Sequence, residues 1–210
     1  MPEMPPIIYI VDDDPAVRDS VAFLVASLGY AYATCISAAD FLERLDDERP
    51  ACVVLDVRLP GMSGLELQAE LIRRGSPVGI IFVSGHGDIP KAVRAIRLGA
   101  LDFLEKPFDD QLLLDRIGEA LKVSAAALAD RRRKSDLERR LGCLTDRERE
   151  VLALVVAGKT SKAIANDLDI SVKTVENHRH NLMTKAGATS VAQLIAWASE
   201  PAVPELGRNP

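Results

Sequence analysis

Hydrophobic and polar positions follow two different patterns, one over the first 122 residues and another after residue 142. In the first region, short apolar runs alternate with segments in which apolar residues recur at helical spacing. The runs at 7–11, 30–35, 51–55, 79–83 and 101–104 predict strands, and the segments near 15–28, 37–47, 64–74, 88–98 and from about 109 predict helices. This alternation predicts an α/β domain with a doubly wound, parallel five-stranded sheet.

The second region contains helical patterns only. Thr145 and Glu148 form a predicted capping box that opens a helix ending near Gly158. The following helices are predicted at Ser161–Leu168, Val172–Ala186 and Val191–Ser199. A short helix, a tight turn and a longer polar-faced helix predict a small all-α, four-helix domain of the helix-turn-helix type.

Composition between the two regions indicates a helical linker. Residues 123–141 are rich in Ala, Arg, Lys and Glu, and they continue the helix that begins near Asp109. We therefore predict a first domain at 5–122, a helical linker at 123–141, a second domain at 142–200 and a disordered tail at 201–210.

Charge is divided unequally along the chain, whose net charge is −5. Residues 1–122 contain 20 acidic against 12 basic residues, whereas residues 123–210 contain 11 against 14. This asymmetry indicates an acidic module joined to one that can approach a polyanion. Three widely spaced cysteines suggest a reducing compartment, and no apolar stretch reaches membrane-spanning length. We expect a cytoplasmic protein with no membrane partner.

Chemically useful side chains follow four of the predicted strands. Asp12 and Asp13 follow the first strand, Asp56 closes the third, Ser84 follows the fourth and Lys106 follows the fifth. The carboxyl ends of parallel strands meet at one edge of a sheet, so these five side chains should converge. Three carboxylates suit Mg²⁺, and the whole set fits a phosphoryl group transferred to Asp56. Mg²⁺ and Lys106 would offset its charge while Ser84 donates a hydrogen bond.

The third helix of the second region has a polar face suited to the DNA major groove. Val175, Leu182 and His178 are predicted to face the core. Glu176 and Asn177 are the candidate base-reading residues, because Asn can pair with adenine and Glu with cytosine. The other candidate contacts are Lys173 and His180 on the same face, and Lys162, Thr174, Arg179 and Lys185 at phosphates. The alternative is that this polarity merely solvates the helix, since residues 144–200 hold seven acidic and seven basic residues.

Taken together, these motifs resemble the NarL/FixJ family of two-component response regulators. Residues 5–122 are similar to a CheY-like receiver. This similarity rests on Asp12-Asp13, Asp56 with Pro60-Gly61, Ser84 and Lys106-Pro107. Residues 142–200 resemble the LuxR-type DNA-binding domain, carried by motifs from Leu144-Thr145 through Ile170-Ser171 to Met183 and Lys185. The resemblance implies that a histidine kinase phosphorylates Asp56, and that this promotes dimerisation and binding to promoter DNA to regulate transcription.

Further expectations come from the resemblance alone. It implies a Mg²⁺ ion held by Asp13, Asp56 and the backbone carbonyl of Arg58, with Asp12 assisting through water. It also implies a cis Lys106-Pro107 bond, a switch formed by Ser84 and Phe103, and a partner in RNA polymerase. The implied dimer surface comprises Ile89, Val93, Ile96 and Phe103.

Two other classes of protein stay open from the residues alone. A phosphatase of the haloacid-dehalogenase type would use Asp56 as a nucleophile, but it needs a second Asp two residues later, where Arg58 stands. We therefore expect a protein that accepts a phosphoryl group on Asp56 and removes it by autodephosphorylation, without being a dedicated enzyme. An adaptor, in which phosphorylation controls protein contacts only, would leave the helix-turn-helix pattern without a function.

Overall fold

The computed structural model describes residues 4–85 and 89–198. The strands are β1 (Ile7–Val11), β2 (Ala31–Cys35), β3 (Ala51–Asp56), β4 (Gly79–Ser84) and β5 (Asp102–Glu105). The helices between and after them are α1 (Pro15–Ser27), α2 (Ala38–Arg44), α3 (Gly64–Arg74), α4 (Ile89–Arg97) and α5 (Asp110–Gly142). Four further helices follow: α6 (Asp146–Val156), α7 (Ser161–Asp167), α8 (Val172–Ala186) and α9 (Val191–Ala198).

The five strands form one parallel sheet in the order β2-β1-β3-β4-β5. Val11 pairs with Leu55, Asp56 with Val83, and Ser84 with Glu105, so the carboxyl ends of the four strands that carry the predicted chemistry lie in register. The predicted doubly wound fold is confirmed, and its consequence is a single edge at which the strand-end side chains meet.

Alternating residues of the central strands fill two separate hydrophobic clusters, because successive side chains of a strand point to opposite faces of the sheet. One cluster contains Tyr9, Val11, Val53, Leu55 and Phe82. The other contains Ile8, Ile10, Val54, Ile81 and Val83. Helices therefore cover both faces of the sheet, as the continuous apolar runs predicted.

Helix α2 ends earlier than the hydrophobic pattern predicts, at Arg44 rather than near residue 47. The next residue, Leu45, has an extended backbone. The hydroxyl of the buried Tyr9 donates to the Arg44 carbonyl (3.1 Å) and accepts from the Asp46 N–H (3.0 Å). A side chain distant in sequence thus binds backbone groups that a continuing helix would otherwise pair. Strand β5 is also displaced by one residue from the predicted 101–104.

Helix α5 extends without interruption from Asp110 to Gly142 and thus includes the predicted linker. The chain divides into two compact units within this helix, Met1–Asp130 and Arg131–Pro210. Leu137 and Leu141 are buried in the core of the second unit. The last turns of α5 are therefore part of the second unit's core.

Helices α6 to α9 pack around a core that includes Val151, Leu152, Ile164, Val175 and Leu182. The predicted capping box at α6 is present: the Glu148 N–H donates to Thr145 Oγ1 (3.3 Å), and the Thr145 N–H donates to Glu148 Oε2 (2.8 Å). Ser171 caps α8 by accepting from the Thr174 N–H. These four helices confirm the predicted helix-turn-helix layout. The predicted tail at 201–210 and the end of the last helix at Ser199 lie outside the described residues.

Among the helices of residues 4–85 and 89–198, none combines the length and the apolar composition needed to cross a bilayer.

Candidate functional site

Two buried carboxylates and one ammonium meet at the carboxyl edge of the sheet. Lys106 Nζ lies 2.6 Å from Asp12 Oδ2 and 2.8 Å from Asp56 Oδ1. Asp12 is 1% exposed and Asp56 is 6% exposed, so both charges are largely withdrawn from water. Charge-assisted hydrogen bonds of this length offset much of the cost of that burial. The predicted convergence of Asp12, Asp56 and Lys106 is therefore present.

Burial and pairing act in opposite directions on these groups. Desolvation raises the pKa of Asp12 above its ordinary value, and the hydrogen bonds from Lys106 and from the Asp14 N–H only partly oppose that rise. For Lys106, desolvation would lower the pKa, but hydrogen bonds and charge from Asp12 and Asp56 together raise it. The ammonium is thus held in its charged form beside the two carboxylates.

Four hydrogen bonds hold Asp12, each from a different part of the first unit. Its N–H donates to the Cys35 carbonyl (3.3 Å), and its Oδ1 accepts from the Asp14 N–H (3.0 Å). Lys106 Nζ donates to Oδ2, and Arg18 Nη1 donates to the Asp12 carbonyl (2.7 Å). Asp14 in turn caps α1 by accepting from the Ala16 N–H. The loop from β1 to α1 is therefore fixed on both sides of Asp12.

The end of β3 is held by backbone contacts around Asp56. Asp56 Oδ2 accepts from the Arg58 N–H (2.5 Å), and the Val57 carbonyl accepts from the Gly64 N–H (3.1 Å). A β-carbon at position 64 would lie 2.3 Å from the Asp56 carbonyl oxygen, closer than any real contact. Glycine at the start of α3 is thus required for the helix to approach the strand that carries Asp56.

Ser84 lies at the carboxyl end of β4, and Phe103 lies on the neighbouring strand β5. Ser84 is buried at the end of β4, and its carbonyl accepts from the Lys106 N–H (2.8 Å). Phe103 on β5 is half-buried and stacks on Phe82 with a centroid distance of 6.0 Å. The Lys106-Pro107 peptide bond is cis, as expected.

The charge and chemistry of the acidic site fit a divalent cation. Asp12 and Asp56 share one ammonium, which leaves one excess negative charge before the neighbouring Asp13 is counted. All of these donors are carboxylate oxygens, the ligands that Mg²⁺ prefers. Asp13 is exposed, and among residues 4–85 and 89–198 no group of three acidic, His or Cys side chains is gathered closely enough to form a complete site. The predicted set of Asp12, Asp13 and Asp56 is thus only partly assembled.

Lys106 also lies at the wall of a groove of about 540 Å³. The groove is bounded by α1 on one side and by the segment between β5 and α5 on the other. Its lining residues are Ala16, Val17, Ser20, Lys106, Pro107, Phe108 and Asp110. Lys106 thus belongs both to the wall of this groove and to the acidic site.

The predicted dimer surface is apolar and exposed along α4. Ile89 is 75% exposed, and Val93 and Ile96, which follow at helical spacing, are also exposed. Phe103 on the adjoining strand β5 contributes less, because it is half-buried against Phe82.

In the second unit, α8 presents the predicted polar face. Lys173, Glu176, Asn177 and His180 are exposed, and they follow one another at helical spacing. Val175 and Leu182 are buried as predicted, whereas His178, also assigned to the core, is only partly buried. Lys162 on α7 is exposed, and Thr174 and Arg179 are half-buried.

Lys185 has a contact that the sequence did not predict. Its ammonium donates to Glu148 Oε2 (2.7 Å), and Glu148 is almost fully buried. The contact of Lys185 with a DNA phosphate stays a prediction, and in the structure its ammonium neutralises a buried carboxylate. Lys162, the other lysine predicted to contact a phosphate, is exposed on α7.

Arg18 is a second residue that sequence reasoning missed. Its guanidinium binds the Asp12 carbonyl although Arg18 itself lies on α1. A signal was present: a cation near the start of a helix is unfavourable for the helix dipole, which suggests another reason for its position.

Family comparisons agree with this architecture. Residues 8–118 match the response regulator receiver domain, and residues 143–198 match the luxR family of bacterial regulatory proteins. The chain is 46% identical to the transcriptional regulatory protein FixJ of Azorhizobium caulinodans, over 94% of this chain and 93% of that protein. It is 43% identical to the response regulator protein TodT of Pseudomonas putida, over 90% of this chain and 83% of that protein.

Solved structures give the same result. A low-resolution structure of the response regulator StyR matches with a TM-score of 0.81 and 42% identity, over 92% of this chain and 98% of that one. Full-length FixJ from B. japonicum matches with a TM-score of 0.55 and 41% identity, over 91% and 95% of the two chains. Relatives that match almost the whole of this chain are thus named as response regulators or transcriptional regulatory proteins. This chain belongs to the two-component response regulators, and it is a transcriptional regulator that joins a receiver domain to a LuxR-type DNA-binding domain.

Proposed function

We propose that Asp56 accepts a phosphoryl group from a phosphohistidine of a partner kinase. The observation that carries this proposal is the contact of one ammonium, that of Lys106, with both Asp12 and Asp56 at the buried edge of the sheet. In the transfer, the P–N bond of the phosphohistidine breaks and a P–O bond to Asp56 forms, giving an acyl phosphate. Hydrolysis by water later returns the carboxylate and releases inorganic phosphate.

A bound Mg²⁺ would neutralise charge on the phosphoryl oxygens during this transfer. Asp13, Asp56 and the carbonyl of Arg58 would hold it, with Asp12 assisting through water. Lys106 already lies beside the acceptor oxygen, so it can offset a further part of the developing charge. The Ser84 hydroxyl, at the end of the adjacent strand, would donate to a phosphoryl oxygen.

The donor would approach through the groove beside Lys106. That groove is lined mainly by small and apolar side chains from α1 and from the segment before α5. An imidazole ring carried on a partner helix is a small group that such a groove can admit, and Lys106 at its wall leads to Asp56.

Phosphorylation would favour a homodimer through α4 and β5. Exposed Ile89, Val93 and Ile96 supply an apolar surface. Phe103 on β5 stacks on the ring of Phe82, against which it could repack. In this scheme Ser84 and Phe103 are the switch residues, and the phosphoryl group selects the dimeric form.

A dimer would place two copies of α8 on DNA. Glu176 and Asn177 would read base edges, and Lys162, Lys173, Thr174, Arg179 and His180 would contact phosphates or flank the readout. Because the DNA-binding unit has little net positive charge, one copy alone should bind weakly. Dimerisation therefore provides the affinity that a single unit lacks.

Labelling by a small phosphodonor in MgCl₂ tests the acceptor. Asp56→Asn should abolish labelling, because a carboxamide cannot form an acyl phosphate. Asp115→Asn, an equally conservative change on the exposed face of α5, is the matched control and should label like the wild type. Undiminished Mg²⁺-dependent labelling of Asp56→Asn would show that the acceptor lies elsewhere.

A further inference from the structure

The carbonyl group of Asp12 has a side-chain partner that the phosphoryl-transfer scheme does not use. Arg18 Nη1 donates to it at 2.7 Å, from a partly buried position on α1. A hydrogen bond from a guanidinium to a backbone carbonyl is stronger than one between neutral groups. The contact joins the second turn of α1 to the peptide that links Asp12 and Asp13.

That peptide is the element on which the direction of Asp13 depends. A peptide unit is planar, so fixing the Asp12 carbonyl also fixes the N–H of Asp13. The Asp13 carboxylate itself is exposed and makes no hydrogen bond or ion pair with another residue in the described part of the chain. Packing therefore does not orient Asp13, and the backbone sets the direction in which its side chain leaves the main chain.

The Asp12 side chain provides a first restraint on this peptide. Its carboxylate is engaged by Lys106 and by the Asp14 N–H, which fix the side chain. The bond from the Asp14 N–H closes a turn around the Asp12–Asp13 peptide, and the Arg18 bond to the Asp12 carbonyl is a second restraint on the same peptide. The packing of α1 does not require Arg18, because Val21, Ala22 and Val25 bury that helix against the sheet.

We propose that Arg18 is a positioning residue for the metal site: by holding the Asp12–Asp13 peptide plane, it aims the Asp13 carboxylate at the cation. This proposal rests on the proposed Mg²⁺ site, and it assigns to Arg18 a function opposite to that expected from its charge. Charge alone would make a guanidinium repel Mg²⁺, so its removal would strengthen binding. Positioning predicts that removal weakens binding.

Titration of the full-length protein with MgCl₂, followed by the amide NMR signals of Asp13 and Asp56, separates the two effects. Arg18→Met should raise the half-saturating Mg²⁺ concentration about tenfold, the size expected for loss of one charge-assisted hydrogen bond. Arg18→Lys, which keeps the charge and one donor, should recover most of the affinity. Arg44→Met is the matched control, because Arg44 pairs with Asp40 on its own helix, and it should leave Mg²⁺ binding unchanged.

Three further measurements distinguish positioning from general destabilisation. The Asp13 amide signal of Mg²⁺-free Arg18→Met should be displaced, while its melting temperature in EDTA stays close to that of Arg18→Lys. At saturating Mg²⁺, its maximal rate of labelling should return to that of the wild type, because only the metal affinity has changed.

Mg²⁺ affinity in Arg18→Met equal to or higher than that of the wild type would overturn the proposal, as would a loss of affinity that follows a fall in melting temperature. If the wild type itself bound no Mg²⁺, the proposed metal site would fail. The same titration thus tells the two failures apart.

Discussion

Glu148 is 3% exposed, and its carboxylate oxygen Oε2 lies 2.7 Å from the ammonium of Lys185 on α8, the helix proposed to contact DNA. The same oxygen accepts from the Thr145 N–H at the start of α6 (2.8 Å). One buried atom therefore joins the cap of α6 to the last turn of α8. The position of α8 in the second unit depends in part on a charge pair that no DNA contact requires.

Lys185→Met should destabilise the second unit. It leaves Glu148 buried with only its capping bonds, and breaking such a pair on one side costs about 1–3 kcal/mol after allowance for the partial exposure of Lys185. Urea unfolding followed by the fluorescence of Trp197, the single Trp and a residue packed on this core, measures the effect. Lys159→Met removes a more exposed pair with Asp167 and should cost much less, so equal losses would contradict the assigned role.

Acid should weaken the second unit partly through Glu148. The hydrogen bond from Lys185 lowers the pKa of Glu148 below its ordinary value of 4.5. A lowered pKa stabilises the folded form above the unfolded-state pKa, and this contribution is lost as the pH falls from there through the folded-state pKa. Glu148→Gln should therefore be less stable than the wild type at pH 7, and the gap should narrow as the pH falls below 4.5. A gap independent of pH, measured by urea unfolding with Trp197 fluorescence, would contradict this.

Asp169, in the turn between α7 and α8, has a left-handed backbone with φ of 52°. Residues with a β-carbon adopt this conformation at a cost of about 1–2 kcal/mol, less for Asp, whereas glycine adopts it freely. Asp169→Gly should therefore raise the midpoint of urea unfolding, and Asp169→Ala should lower it. The reverse order would show that the Asp169 side chain supplies a compensating contact.

A charged residue introduced on α4 should weaken dimerisation without affecting phosphorylation. Val93→Asp introduces a carboxylate into the exposed apolar surface, where a two-fold dimer would have to bury it twice. Sedimentation with a phosphodonor should show a dimer weakened by about tenfold or more, while labelling of Asp56 is unchanged. Ile72→Asp on α3, also an exposed apolar position, is the control and should dimerise like the wild type. Equal effects of the two changes would exclude α4 as the dimer surface.

Readout of DNA by α8 predicts different behaviour for two exposed polar residues. Asn177→Ala should cost about 1–3 kcal/mol at the cognate site and relax the preference at one base pair. Lys162→Met should weaken binding to all DNA sequences alike. It should also lower the slope of log affinity against log salt concentration by about one unit. Binding of the phosphorylated protein to cognate and random DNA at fixed salt compares them. If Asn177→Ala weakens both equally, Glu176 and Asn177 are not the base-reading residues.

The sequence by itself determined the order and type of the elements, and with them the edge at which Asp12, Asp56, Ser84 and Lys106 lie. Apolar runs specify buried strands through local patterning, and in a parallel sheet every strand ends at a predictable edge. The capping residues Thr145 and Ser171 were also identifiable, because a cap involves residues only three apart.

Contacts between residues distant in the chain were decided only by the tertiary structure. Tyr9 ends α2 some 35 residues later, and Lys185 pairs with Glu148 across 37 residues. Arg18 is closer in sequence to Asp12, yet its choice of the Asp12 carbonyl depends on how α1 packs on the sheet. A long polar side chain can reach many acceptors, and the spacing of hydrophobic and polar residues does not show which acceptor it binds. Packing of the helices places one acceptor within hydrogen-bonding distance, and that step assigns these residues their functions.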